Sequence, residues 1–230
     1  MSNVAVVTGA ASGMGRACAA RFLAEGYSVA ALDLTETTLD GALALTADIT
    51  DPAGVAAAIE RAVAELGPLK AVVNAAGVYP PTTLKTASPE LYRRVFDVNV
   101  LGTVLVTQAA APHLVDGSAV VNFASIDAFV PSPGQLLYCA SKAAVVALTR
   151  SLALELAPGV RVNALAPGWV DTPGNKATGR MEAALAEVPL GRAATPEEMA
   201  DLVWFLAGGG GAAYVSGETL TATGGSAFRQ

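Results

Sequence analysis

Short apolar blocks and longer amphipathic stretches alternate along this chain. Residues 4–7, 28–33, 42–47, 69–73, 118–124, 160–165 and 218–221 are brief runs rich in Val, Ala, Leu and Thr, with the length and composition of strands buried in a sheet. Residues 16–25, 52–66, 88–111, 138–148, 181–187 and 195–207 read as helices, several with marked ends. Asp51 precedes Pro52, Ser88 precedes Pro89, and Thr195-Pro196-Glu197-Glu198 has the pattern of a capping box. Each places a side-chain acceptor ahead of a proline at the first helical position. Residues 35–41 allow at most a turn or two of helix, and about 173–190 reads as a small mobile segment around the 181–187 helix. No repeat or linker interrupts the alternation, so residues 1–230 are expected to form a single α/β domain.

The first apolar block runs into Thr8-Gly9-Ala10-Ala11-Ser12-Gly13-Met14-Gly15 and from there into the first helix. In a strand–turn–helix context, glycines let backbone amides approach a pyrophosphate at the positive end of the helix. Gly9, Ser12, Gly13, Met14 and Gly15 are therefore candidate cofactor contacts, although a tight turn without a ligand would use the same glycines. The second block ends in Asp33, twenty residues after Gly13. A carboxylate there accepts hydrogen bonds from both ribose hydroxyls and repels a 2′-phosphate, which favours NAD over NADP. No lysine or arginine in Ala10-Ala11-Ser12 or directly after Asp33 offers that phosphate a partner. Leu34 follows Asp33, Asp48 and Ile49 are expected beside the adenine, and Asn74-Ala75-Ala76-Gly77 is small enough for close approach to a cofactor.

The candidate chemistry lies between residues 125 and 142. Tyr138 and Lys142 are four apart on one predicted helix and so share a face. An ammonium beside a phenol is expected to lower the phenol's pKa from its reference near ~10, and a phenol so tuned exchanges protons with an alcohol or carbonyl oxygen. Ser125 precedes a loop containing Pro131, Pro133 and Gly134 that can fold its hydroxyl back toward the tyrosine. Asn99 sits in mid-helix, where it is locally unfavourable. Either a site or a neighbouring strand's backbone would account for it.

Composition narrows the class further. The 230 residues are 53% hydrophobic, with no apolar run near the ~20 residues a membrane span needs. The net charge is −6 and the one basic pair is Arg93-Arg94, which argues against nucleic acid and anionic membrane as partners. The start goes straight into a strand pattern, which points to the cytoplasm. Cys18 and Cys139 are too few for a disulfide framework and read as packing residues. A single histidine, His113, excludes a His-rich metal site and a serine–histidine triad.

Thr8-Gly9-x-x-x-Gly13-x-Gly15, Asn74-Ala-Ala-Gly77, Asn99, Ser125, Tyr138-x-x-x-Lys142 and Asn163-Ala-Leu-Ala-Pro167-Gly168, in this order and at these separations, resemble the short-chain dehydrogenase/reductase family over nearly the whole chain. The resemblance implies a Rossmann-type, doubly wound, mostly parallel sheet of seven strands with helices on both faces. It implies Tyr138 as general acid/base, Lys142 tuning it and holding the nicotinamide ribose, Ser125 steadying the substrate oxygen and Asn99 anchoring a water. It also implies cofactor contacts from Pro167, Gly168, Val170 and Thr172, and a homo-oligomer, tetramer or dimer. Ala75 replaces the family's second asparagine, and the 33–48 and post-172 segments are short for the family. The expected function is NAD-dependent hydride transfer to or from a secondary alcohol or ketone. The alternatives are a non-catalytic NAD(H) sensor and a 3-oxoacyl-thioester reductase. Enoyl reductases of the family space tyrosine and lysine more widely than this chain does. Beside Ser125 and Tyr138, Asp127 and Gln135 suit a polar substrate, while Val130, Leu136 and Trp169 suit an apolar one.

Overall fold

The computed structural model describes residues 3–227. Seven strands, β1 (Val4–Thr8), β2 (Ser28–Asp33), β3 (Ala42–Thr46), β4 (Leu69–Asn74), β5 (Leu114–Phe123), β6 (Val160–Pro167) and β7 (Thr219–Ala222), form one sheet in the order β3-β2-β1-β4-β5-β6-β7. Every neighbouring pair is parallel. The chain winds outward from β1 through β2 to β3, then returns to β4 on the other side. Strand order therefore reverses between β1 and β4, where a crevice opens at the carboxyl ends of the strands.

Burial on both faces explains why the strands read as continuous apolar blocks: β1 is buried at all five positions. On one face α1 (Gly13–Ala24) packs against the last helix, α8 (Pro196–Ala207), through Cys18, Ala19, Phe22, Met199, Ala200 and Val203. Phe22, Tyr27 and Trp204 meet there edge to face, with centroids 5.1–5.5 Å apart. On the other face α2 (Pro52–Leu66), α4 (Gly102–Ala110) and α5 (Leu136–Glu155) cover the sheet, burying Val55, Ile59, Val106, Ala110 and Ala153. The expected caps are present. Asp51 accepts from the amides of Ala53 and Gly54 at 3.1 Å, Ser88 opens α3 (Pro89–Phe96), and Thr195 with Glu198 closes a reciprocal capping box on α8.

Three expectations are revised, and the limit of a turn or two of helix at 35–41 is met with none. Residues 34–41 contain no helix; the chain crosses there in turns, Thr37 Oγ1 reaching back to the Ala31 carbonyl. The 88–111 helix is not continuous, because α3 passes through a π turn at Asp97–Leu101 before α4. Thr103 Oγ1 donates to the Asn99 carbonyl at 3.0 Å and Thr107 Oγ1 to the Thr103 carbonyl at 2.8 Å, side-chain bonds that compete with the regular ladder. The 173–190 segment holds two short helices, α6 (Pro173–Ala177) and α7 (Met181–Leu185). Finally, the helical stretches Pro89–His113 and Leu136–Glu155 are long and apolar enough to cross a membrane by length and composition. In this fold each lays one side on the protein: α4 packs on α2 and β4, and α5 on β6.

Candidate active site

A cavity of about 330 Å³ opens at the reversal of strand order. Gly9, Ser12, Gly13, Met14 and Gly15 form one wall, Asp33, Leu34, Asp48 and Ile49 a second, and Ala75, Ala76 and Gly77 a third. Gly9 has φ +68°, and a Cβ there would lie 2.9 Å from the Ala76 backbone, so the turn closes on β4 only with glycine. Thr8 Oγ1 pins the far side by accepting from the amides of Ala75 and Ala76 at 3.1 Å. Helix α1 begins here without a side-chain cap, its N-cap Ser12 making no such bond, whereas α2, α3 and α8 are all capped. Uncapped amides at the positive end of a helix suit the pyrophosphate of a dinucleotide. The residues present thus fit a nicotinamide dinucleotide. Asp33 lies at the far end, accepting from the Ala11 amide and from the amide and hydroxyl of Thr35 at 3.0–3.1 Å.

A second cavity of about 240 Å³ adjoins the first, with Met14, Tyr79 and Thr172 on the walls of both. Ser125 and Tyr138 line it. Strand β5 delivers Ser125 at its carboxyl end, and α5 presents Tyr138 and Lys142 one turn apart. Ser125 hydrogen-bonds the phenol and accepts from the Asp127 amide at 3.1 Å. Lys142 is 5% exposed, donates to the Phe123 carbonyl at 2.6 Å and lies 5.7 Å from the Tyr138 ring centroid. Gly77 lies against both Lys142 and Asn99, a Cβ there meeting Lys142 Nζ at 3.6 Å and Asn99 Oδ1 at 3.3 Å. The Asn99 amide clamps both backbone groups of Val78, at 2.8 and 2.9 Å, and donates to Ser141 Oγ at 3.0 Å. Asn99 thus satisfies the backbone of the loop after β4, rather than that of a strand, and stands close to the lysine.

The expected lowering of the phenol's pKa is not delivered by the protein groups. Burial pushes the Tyr138 phenol well above its ordinary value, with the Ser125 hydrogen bond opposing and the nearby Asp127 charge adding to the rise. Desolvation dominates, and the Lys142 ammonium directs its hydrogen bond to the Phe123 carbonyl. Burial also lowers Lys142 from 10.5 to about 8.

Most sequence-predicted contacts line one of the two cavities, Asp127, Gln135, Trp169, Pro167, Gly168 and Thr172 among them. Two do not. Asn74 turns into the sheet, donating to Thr107 Oγ1 at 3.1 Å and Asn122 Oδ1 at 2.9 Å. Val170 is fully buried in the α1–α8 core. Neither side chain reaches a cavity wall. Tyr79 and Arg180 were missed. Tyr79 packs edge to face on Tyr138 with centroids 5.8 Å apart, held by the Thr82–Leu136 backbone bond that ties its loop to α5. An aromatic two residues after Gly77 was the available signal.

A crevice of this kind at the reversal of strand order is the ligand site of dinucleotide-binding folds. A family model described as enoyl-(acyl carrier protein) reductase matches residues 9–227. A 2-(R)-hydroxypropyl-CoM dehydrogenase of Xanthobacter autotrophicus is 39% identical, over 97% of this chain and 98% of that protein. A 3-oxoacyl-acyl-carrier-protein reductase of Thermotoga maritima is 34% identical over 97% of each. Among solved structures, a short-chain dehydrogenase of Burkholderia cenocepacia in complex with NADP superposes with a TM-score of 0.90, at 33% identity over 97% of each chain. The chain belongs to the short-chain dehydrogenase/reductase family, oxidoreductases that act on hydroxyl and keto groups with a nicotinamide cofactor.

Proposed function

We propose that this protein is an NAD-dependent oxidoreductase that interconverts a secondary alcohol and its ketone, with Tyr138 as general acid/base. The observation that carries the reading is the convergence of Tyr138 and Ser125 on a cavity that adjoins the glycine-lined cleft. When bound, the nicotinamide supplies or accepts the hydride. In reduction the Tyr138 phenol gives its proton to the carbonyl oxygen, and the Ser125 hydroxyl steadies that oxygen. Lys142 compensates the phenolate that forms, and Asn99 fixes the Val78–Ser141 frame beside it. A phenol whose pKa is raised by burial stays protonated at neutral pH, which suits it to act as the acid in ketone reduction.

Asp33 supports NAD. Its carboxylate lines the cleft with no cation beside it on that wall, and it would repel a 2′-phosphate. The same acid, with a net charge of −6, disfavours the 3-oxoacyl-thioester alternative, which would call for NADP and a basic docking surface. The one-turn spacing of Tyr138 and Lys142 disfavours enoyl reduction. A non-catalytic sensor would have no use for the intact Ser125, Tyr138 and Lys142. Cys18 and Cys139 are free and buried, consistent with a cytoplasmic setting, and assembly as a dimer or tetramer belongs to the same proposal. The test is titration with NADH and NADPH followed by a screen of secondary alcohols and ketones. Tighter NADH binding with turnover supports the reading; NADPH preference, or binding without turnover of any substrate, counts against it.

A further inference from the structure

Among the described residues, Arg180 is the one cation on the wall of the Tyr138 cavity. It sits between α6 and α7, half-buried, with its guanidinium 5.8 Å from the Trp169 ring centroid. In the amide orientation that satisfies its surroundings, the buried Gln135 turns its oxygen to Arg180, accepting from Nη2 at 2.8 Å and Nη1 at 3.2 Å. Both of these partners are neutral. Arg21, Arg61 and Arg192 each form contact ion pairs with carboxylates, but Arg180 forms none within 4.0 Å among the described residues. A guanidinium fixed by a stacking face and an amide oxygen keeps a positive charge and further donors free for a ligand.

Two acids share the cavity wall. Glu187 is exposed. Asp127 accepts from Ser132 Oγ at 2.6 Å; burial raises its pKa, while that bond and the charge of Arg180 oppose the rise. Neither supplies Arg180 with a contact counter-ion.

Resting on the oxidoreductase reading, we infer that Arg180 holds a carboxylate of the substrate, making the substrate class short oxo acids and their hydroxy acids. The planar fork matches a carboxylate by two parallel hydrogen bonds. A cavity of about 240 Å³ has room for a short acid. In reduction the hydride adds to the keto carbon and the Tyr138 proton to its oxygen, while the carboxylate remains unchanged on Arg180.

The experiment compares 4-oxopentanoate and 4-oxocyclohexanecarboxylate with their primary carboxamides in wild type, Arg180→Met and Arg180→Lys. Wild type should prefer the acids in kcat/KM by roughly tenfold or more, mainly through KM. Arg180→Met should collapse that ratio and Arg180→Lys should restore part of it. Equal use of acids and amides by wild type, or a ratio that survives Arg180→Met, would overturn the inference. Binding to Tyr138→Phe, read by Trp169 fluorescence, separates this question from catalysis. Quenching by the acid and not the amide supports Arg180 even if no variant turns over, and identical responses to the two refute it.

Discussion

At Tyr138 burial and the Asp127 charge act in the same direction, and the Ser125 hydrogen bond alone opposes them. Desolvation raises the phenol's pKa, and the lysine one turn along the helix is itself lowered to about 8. The lysine makes a testable statement about stability. Below about pH 8 it is charged in both folded and unfolded states, and the cost of burying that charge is fully present. Between about 8 and its ordinary 10.5 the folded protein sheds the proton first, the unfolded chain binds more protons, and stability rises with pH. Urea unfolding should therefore show wild type gaining on Lys142→Met across that window; a constant gap would mean that Lys142 is not perturbed. Asp33 governs cofactor choice in the same local way. Replacing it by Ala together with Leu34→Arg should raise the NADPH-to-NADH affinity ratio by roughly tenfold or more, since a like charge is removed and an opposite one added. An unchanged ratio in paired titrations would show that Asp33 does not read the ribose.

The π turn at Asp97–Leu101 is the element that most shapes the site. It places the Asn99 amide against both backbone groups of Val78, and Gly77 then lies against Lys142. Asn99→Ala would leave the half-buried amide and carbonyl of Val78 without their side-chain partner, so a loss of about 1–3 kcal/mol in urea unfolding is expected, with a fall in kcat. A wild-type unfolding midpoint would remove the clamp from the account. The sequence flagged Asn99 because it breaks a helical preference, but nothing in the local pattern of residues 88–111 distinguishes a π turn from a regular helix. The caps at Asp51, Ser88 and Thr195 were legible because they depend on residues one to three apart. The side-chain directions of Asn74 and Val170 were not legible, because direction near a strand end depends on the neighbouring strand and helix. Arg180 was invisible because its partners, Gln135 and Trp169, lie far away in the chain.

For the whole molecule, alternation of apolar blocks and helices was enough to give an α/β sheet, and the glycine turn with Asp33 was enough to locate the crevice. Strand order came from the resemblance, since periodicity does not say which strands adjoin. The outer surface carries Leu101 and Leu154, 42% and 83% exposed, on the helical layer that bears Asn99 and Tyr138. Exposed apolar positions of this kind fit the proposed homo-oligomer. Light scattering on the purified chain is expected to give two or four times the chain mass, and a monomer at micromolar concentration would remove that part of the proposal. The most direct measurement of the central claim is NADH-dependent ketone reduction by wild type and Tyr138→Phe, with NADH affinity measured alongside. A rate loss of about 10²–10⁴-fold with NADH affinity retained is the expected result; comparable turnover by the two proteins would contradict the assignment of Tyr138 as the proton donor.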